Sequence, residues 1–326
     1  MDHFPPDFKT PTMYHYNLDL QLEPLSRTML RASYVGSRGA HLWVAHERNG
    51  AVSVLQDGRK FYPAGAPRRN PNFQAINSRE AVGNSFYNSV ALELQRRFQG
   101  GLQFRTSYTL AKGIDDASAI AGADALNSPR LLQDPEDRSA DRGLSSYDVR
   151  HRFVANWVYE PAWRASGRRG LLLNGWQLNG IVTLSSGFPQ TPLVGFNQSR
   201  SLGTADRPNL VAGRSNNSIL GSVERYFDPT AYQLQPLGFL GNAGRNTVIL
   251  SGLATIDLNL AKRFTIRENL SLQLRAEVFN LFNHTNLGLP ASAVFNRDGS
   301  VRGTAGRIVE TTTSSRQFQL GMKILF

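Results

Sequence analysis

Apolar and polar residues alternate with period two in segment after segment, and this constrains the fold of the chain more than any other feature of its sequence. From Tyr14 to Glu23 the even positions read Tyr14, Tyr16, Leu18, Leu20 and Leu22, and the odd ones His15, Asn17, Asp19, Gln21 and Glu23. Successive side chains of an extended strand point to opposite faces, so this segment has one apolar and one polar face. The same reading recurs at Leu30, Ala32 and Tyr34 against Arg31 and Ser33, and at Phe86, Val90, Leu92 and Leu94 against Ser89, Glu93 and Gln95. It returns at Leu102, Phe104, Tyr108 and Leu110, at Val149 to Tyr159, and at Trp176, Leu178, Val182 and Leu184. Ile256 to Leu260, Leu270 to Val278 and Phe318 to Phe326 complete the series. The template counts about nine strands, each about as long as the roughly 9 to 11 residues that a tilted strand needs to cross a bilayer.

The connections between these segments alternate in length. Short turns are expected near Pro24 to Arg27, Gln99 to Gly101, Pro161 to Gly170 and Thr265 to Asn269. Long polar excursions are expected at Ser37 to Ser85, Gly113 to Asp148, Gly187 to Gly252 and Asn283 to Ser314. Short periplasmic turns facing long extracellular loops are the rule of outer-membrane barrels, whereas a soluble sandwich has no reason to sort its loops by side. The fold class expected is therefore all-β, an antiparallel transmembrane β-barrel segment in the cell outer membrane.

Composition is compatible with this and narrows the rest. No run of eighteen apolar residues occurs, which excludes a helical membrane span, and the mean hydropathy of -0.33 suits a barrel with a polar interior. Asp2, Pro5, Pro6 and Asp7 stand where a secretory signal would need a basic start and an apolar run, so export is expected to depend on sequence upstream. The chain has no cysteine, which removes disulfides and thiolate metal sites from consideration. A net charge of +11 would suit nucleic acid, but equally the anionic lipopolysaccharide of a cell surface. The barrel reading favours lipid and lipopolysaccharide as partners over nucleic acid.

Aromatic placement is a separate test, because Trp, Tyr and Phe favour the two membrane interfaces. Parity and turn length put Phe98, Trp157, Tyr159, Trp176, Phe264 and Phe326 near the short turns. They put Tyr14, Tyr16, Tyr34, Phe86, Tyr108, Phe282 and Phe318 near the long loops. Arg96, Lys262, His151, Asn280 and Arg316 share lipid-face parity but lie near strand ends, where a long stem can reach water. The opposite parity yields the expected lumen-facing set Arg31, Glu93, Arg105, Arg152, Arg275 and Glu277.

Several segments resemble the C-terminal half of Oar-like TonB-dependent receptors: Pro11 to Leu18 followed by Tyr34 to Leu42, Tyr87 to Leu94, Ser107 to Lys112, Asp148 to Phe153, Gly175 to Gly180, Ala276 to Asn286, and Gln319 to Phe326. The resemblance implies a barrel of roughly 22 strands closed around a plug. Residues 1–326 would form a single C-terminal barrel portion, with the plug domain and N-terminal strands absent. It further implies import of a bulky nutrient, with TonB engaged through the missing N-terminal part and no transport by this portion alone. The alternation Phe318, Leu320, Met322, Ile324, Phe326 resembles the signal read by the outer-membrane assembly machinery.

Other chemistry is weaker. Asp115, Asp116, Asp124, Asp134, Glu136, Asp137 and Asp141 form an acidic run that matches no EF-hand spacing, so a solvated loop partly neutralised by Arg138, Arg142, Arg150 and Arg152 is expected rather than a calcium site. Ser145, Ser146, Asp148 and His151 lie close in sequence, but proximity is not triad geometry and His151 has lipid-face parity, so no enzyme activity is expected. No cofactor, metal ligand set or catalytic residue is assigned. Asn197, Asn216 and Asn283 match glycosylation sequons only by composition. Two alternatives remain open at this point: a soluble β-sandwich binding glycan or nucleic acid, and an adhesive or structural outer-membrane barrel.

Overall fold

The computed structural model describes residues 2–6, 9–116, 132–203 and 206–326. Nine long strands form one antiparallel meander in chain order: β1 (Thr12–Leu25), β2 (Thr28–Glu47), β3 (Asn77–Gln99), β4 (Leu102–Asp115), β5 (His151–Tyr159), β6 (Trp176–Ser185), β7 (Leu253–Arg267), β8 (Leu270–Phe279) and β9 (Gln317–Leu325). Each pairs only with its neighbours in sequence along this path. Asp2–His3 adds a short parallel pairing to β3, and Gly143–Leu144 an antiparallel one to β4. The sheet is a wall that does not close on itself. Among the described residues the remaining sheets are two-stranded pairs, too small to cover the exposed apolar face, so the soluble sandwich is set aside.

Register aligns the alternation across the wall. Leu20, Ala32, Leu92, Tyr108, Phe153 and Leu184 are paired in succession, and so are Leu22, Leu30, Leu94, Thr106, Ala155 and Val182. A shift of one residue in any pairing would turn that strand's apolar set to the polar face, so the pattern itself fixes register. Two glycines on this face are roofed by the aromatic directly opposite. Tyr16 lies over Gly36 and Trp157 over Gly180, so closely that a Cβ on either glycine would meet the ring.

The structure corrects two boundaries. The excursion expected from Ser37 to Ser85 is strand for much of its length, because β2 runs 20 residues to Glu47 and β3 starts at Asn77 and runs 23. Register shifts at Ala40/Leu42 and Leu42/Trp43, with His41 at φ 56, break the parity there. A bulge inserts an unpaired residue, so a strict period-two count stops where the strand continues. The turn expected at Pro161 to Gly170 extends further and contains one helix, α1 (Gly167–Leu173). The other turns fall as expected, at Ser26–Arg27, Gly100–Gly101 and Glu268–Asn269.

The hydrophobic core lies in the loops. Tyr226, Phe227, Ala231, Tyr232, Val248 and Leu250 from segment 186–252 pack with Val294, Phe295 and Ile308 from segment 280–316. Short pairings order the cap, Pro189–Gln190 with Val248–Ile249 inside the first segment and Leu193 with Ala293 across the two. The long-loop end is therefore a packed cap, while the strands show their leucines outward.

Candidate functional site

The polar face of the wall carries a ladder of charged and amide side chains. Arg31 on β2 donates to Asp19 on β1 at 2.8 and 3.0 Å, and Arg105 on β4 donates to Glu93 on β3 at 2.9 Å. On the other flank Glu277 accepts from Asn259 at 2.7 Å and lies 3.4 Å from Arg275, while Gln177 donates to Glu160 at 2.7 Å. Arg152 stands on the same face of β5, opposite Thr109 and Ser185. The structure thus groups the predicted lumen-facing residues into two clusters with Arg152 between them. These arginines are half-exposed along an open face, so the pairs are labile in water and present both signs of charge to it.

The opposite face is apolar, and most of its polar exceptions find partners, although the Arg96 Nε is buried without a hydrogen bond. Tyr16 and Tyr34 both donate to the Asn88 amide oxygen, at 3.2 and 2.7 Å. Asn88 has lipid-face parity that the sequence reading passed over; an amide inside a tyrosine belt was the signal available. The Tyr108 hydroxyl meets His151 Nδ1 at 2.8 Å. Lys262 Nζ donates to the carbonyls of Leu172 and Asn174 and lies 5.0 Å from the Trp176 ring and 5.2 Å from the Phe264 ring. Asn280 leaves the face altogether: at φ 51 it turns into the loop and bonds His284 and Ser314. Tyr14 stays exposed on β1, and Tyr159 sits at the short-turn end of β5. Phe318, Leu320, Met322 and Ile324 project along β9 opposite Val278, Ala276, Leu274 and Leu272, and Phe326 follows them. At the long-loop rim Arg38 and Arg142 bracket the Phe86 ring at 5.4 and 5.9 Å, beside exposed Lys112.

The acidic run is bound into the cap, contrary to the expected solvated loop. Asp141 receives Arg207 at 2.7 Å, with the two side chains only 4% and 2% exposed, and Asp115 is paired with buried Arg245. Asp134 and Glu136 take Lys60 at 2.7 and 2.8 Å, Glu136 also takes Arg69, and Asp116 lies 3.6 Å from Arg138. Asp137 accepts from Ser139 as a helix cap. Asp124 lies outside the described residues. Lys60, Arg69, Arg207 and Arg245 are distant in sequence from the run, which is why charge counting near it missed them. Burial pushes the Asp141 carboxyl up, against the pull of Arg207. Hydrogen bonds from Lys60 and Arg69 hold Glu136 down at about 2. Among the described residues no group of three acidic or imidazole side chains is arranged to hold a metal ion.

Ser145, Ser146, Asp148 and His151 do not assemble as a catalytic group. Asp148 accepts the Gly113 amide at 2.6 Å, Ser146 is buried, and the His151 ring turns to Tyr108 on the apolar face. Beside the β2–β3 ribbon, a cavity of about 770 Å³ is lined by His3, His41, His46, Arg48, Glu80 and Arg138, among others. Its size is that of a small-ligand site, and its lining can bind through charge and hydrogen bonds.

Comparison with known proteins agrees with this architecture. Residues 1–319 match the family described as outer membrane beta barrel domain. Among solved structures, the outer membrane transporter YddB from Escherichia coli aligns with a TM-score of 0.50 and 11% identity, over 98% of this chain and 33% of that one. The ferric-catecholate import receptor Fiu from E. coli K12 aligns at 0.44 and 12%, over 98% of this chain and 28% of its own. The FrpB iron transporter from Neisseria meningitidis aligns at 0.44 and 11%, over 100% and 33%. The chain thus spans about a third of the length of these structures. Among curated proteins none matches the sequence.

Proposed function

This chain belongs to the outer membrane β-barrel domain family, and on that premise we propose that it supplies wall and outer loops to a TonB-dependent receptor of the Oar-like group that imports a bulky nutrient. The observation that carries the reading is the division of one sheet into an exposed apolar face and a face of paired charges, under a cap cross-linked by buried ion pairs. An apolar face fits lipid, a charged face fits a wet lumen, and a packed cap fits a selective mouth more than a bare pore. The Oar-like segments support the receptor type, and the fold shared with YddB supports the barrel.

In this reading the partners are membrane lipid, lipopolysaccharide phosphates met by Arg38, Lys112 and Arg142, the assembly machinery reading Phe318 to Phe326, and TonB through the rest of the receptor. Nucleic acid is not among them, and no catalysis is assigned. Transport belongs to the whole receptor, with none assigned to this portion alone. The test is a clean deletion of the gene, grown on a panel of iron chelates and glycans as sole sources. Loss of growth on one source, restored by the wild-type gene but not in a strain lacking TonB, is the expected result. Normal growth on every source would overturn import and favour an adhesive or structural surface barrel.

A further inference from the structure

The turn between β5 and β6 is unlike the other three short turns, which reverse the chain within a few residues. It carries the sequence Trp163-Arg164-Ala165-Ser166-Gly167-Arg168-Arg169-Gly170-Leu171-Leu172-Leu173, with no acidic residue between Pro161 and Trp176. None of the residues of α1 is buried, and Leu171, Leu172 and Leu173 are 58%, 72% and 46% exposed. Three consecutive leucines on an unpacked helix are not a folding device, since they touch too little protein to contribute to a core.

The helix is nevertheless held in one place. The side chains that hold it are Trp176 and Lys262, both on the lipid face: Trp176 Nε1 donates to the Leu172 carbonyl at 2.7 Å, and Lys262 Nζ donates to Leu172 at 3.1 Å and to Asn174. Asn174 closes the turn from within, its amide bonding both the N–H and the carbonyl of Ala165. The C-terminal end of α1 is thereby tied to the lipid side of the wall, level with the Trp176 and Phe264 rings, and the exposed leucines continue the apolar belt. An open cleft of about 300 Å³ separates the helix from β7, lined by Gly167, Gly170, Leu171 and Phe264 among others. Among the described residues Arg164, Arg168 and Arg169 take part in no ion pair, so a cluster of uncompensated positive charge adjoins the leucines. Leucines beside arginines are the composition of a segment lying in a membrane interface, its apolar side chains among acyl chains and its cations at anionic headgroups.

We infer that α1 and its flanks form an interfacial anchor that binds anionic phospholipid of the periplasmic leaflet. Leu171 to Leu173 enter the acyl region and Arg164, Arg168 and Arg169 contact headgroup phosphates. The inference rests on the outer-membrane placement of the wall and goes beyond the import reading.

Residues 1–326 contain no cysteine, so once any cysteine elsewhere in the intact protein is replaced by serine, single cysteines report without a background. Leu172→Cys, Leu274→Cys in the apolar belt and Asp57→Cys, in the exposed turn that joins the paired segments Val54–Gln56 and Arg59–Phe61 at the long-loop end, are made in the intact outer-membrane protein and labelled with a polarity-sensitive dye. Each is reconstituted in phosphatidylethanolamine vesicles with and without phosphatidylglycerol. The expected result is a several-fold lower iodide quenching at 172 than at 57, quenching at 172 by a lipid-dissolved quencher, and stronger shielding when phosphatidylglycerol is present. R168Q/R169Q should abolish that last difference while heat-modifiable folding is retained. Iodide access at 172 equal to that at 57, with 274 shielded, overturns the anchor while leaving the barrel intact. Iodide access at 274 overturns both. Shielding at 172 that ignores phosphatidylglycerol and the arginine substitutions overturns the anionic-lipid assignment.

Discussion

Replacing Arg207 with leucine should open the outer cap while leaving the wall assembled. Arg207 reaches Asp141 Oδ1 at 2.7 Å and the Ala140 carbonyl at 2.9 Å, and its backbone N–H donates to Gln133 Oε1 at 2.8 Å. The backbone bond survives the substitution, whereas both guanidinium bonds are lost. Asp141 keeps the Gln133 backbone amide at 2.9 Å and the more distant pull of Arg245, but loses the cation hydrogen-bonded to it in a nearly dry site. Breaking a buried pair from one side costs about 3–5 kcal/mol, because a charge is left without its partner. At about 1.36 kcal/mol per decade this is roughly two to four decades in the opening equilibrium of the cap. Protonation of Asp141 offsets part of the penalty. Removing the arginine raises the folded-state pKa of a carboxyl that burial already pushes up, so the deficit should be small at low pH and grow as pH rises through that value. Replacing both residues by leucine leaves no orphan charge and should recover most of the loss. Hydrogen exchange of segments 132–141 and 206–217 in the reconstituted protein measures the opening directly, with heat-modifiability on a gel as the control for the wall. A cost under about 1 kcal/mol for R207L, a typical value for an exposed pair, would refute the argument that this bridge is closed to water.

Gly180→Val puts a side chain where the Trp157 ring lies, and overpacking of this kind should cost about 1–3 kcal/mol, read as a lower unfolding midpoint in urea with vesicles present. Leu92→Arg, midway between Asn88 and Arg96 on the lipid face, should lower stability by about 2–4 kcal/mol, while Glu93→Gln beside it on the wet face should cost under about 1 kcal/mol. Equal effects from the two would contradict the assignment of faces. Glu136 has a folded-state pKa of about 2, below its ordinary 4.5, so its contribution is fully present above pH 4.5 and is lost as pH falls from there towards 2. With its side chain 46% exposed, screening reduces that contribution to about 1 kcal/mol, and Lys60→Met should flatten the pH dependence of cap exchange.

How much of this was legible in the sequence follows from the range of the forces involved. Strand number, order and facing come from alternation within each segment, so Leu18, Leu20 and Leu22 declare their face without knowledge of any partner. The wall positions of Arg31, Glu93, Arg105, Arg152, Arg275 and Glu277 follow from the same parity. The extension of β2 and β3 did not, because bulges at Ala40 to Trp43 shift the parity without ending the pairing. Nor did the cap, whose interactions join residues far apart in the chain: Lys60 with Asp134, Asp141 with Arg207, Asp115 with Arg245. An acidic run reads as solvated until the cations from other loops are brought to it. Residues such as Phe227 and Val294 carry no strand-length pattern at all, and their burial appears only when segments 186–252 and 280–316 are folded together.

The contrast between the two sets of ion pairs has a consequence for a protein that meets the external medium. Counter-ions screen exposed charges over a Debye length of about 10 Å at 0.1 M salt, and about 3 Å at 1 M, but reach buried pairs far less. The exposed pairs Arg31–Asp19 and Arg105–Glu93 are open to the solution, so dilution or brine will retune the field along the wall. The Asp141–Arg207 and Asp115–Arg245 bridges are shut away from it, so the cap keeps its shape while the electrostatics of the wall follow the salinity outside.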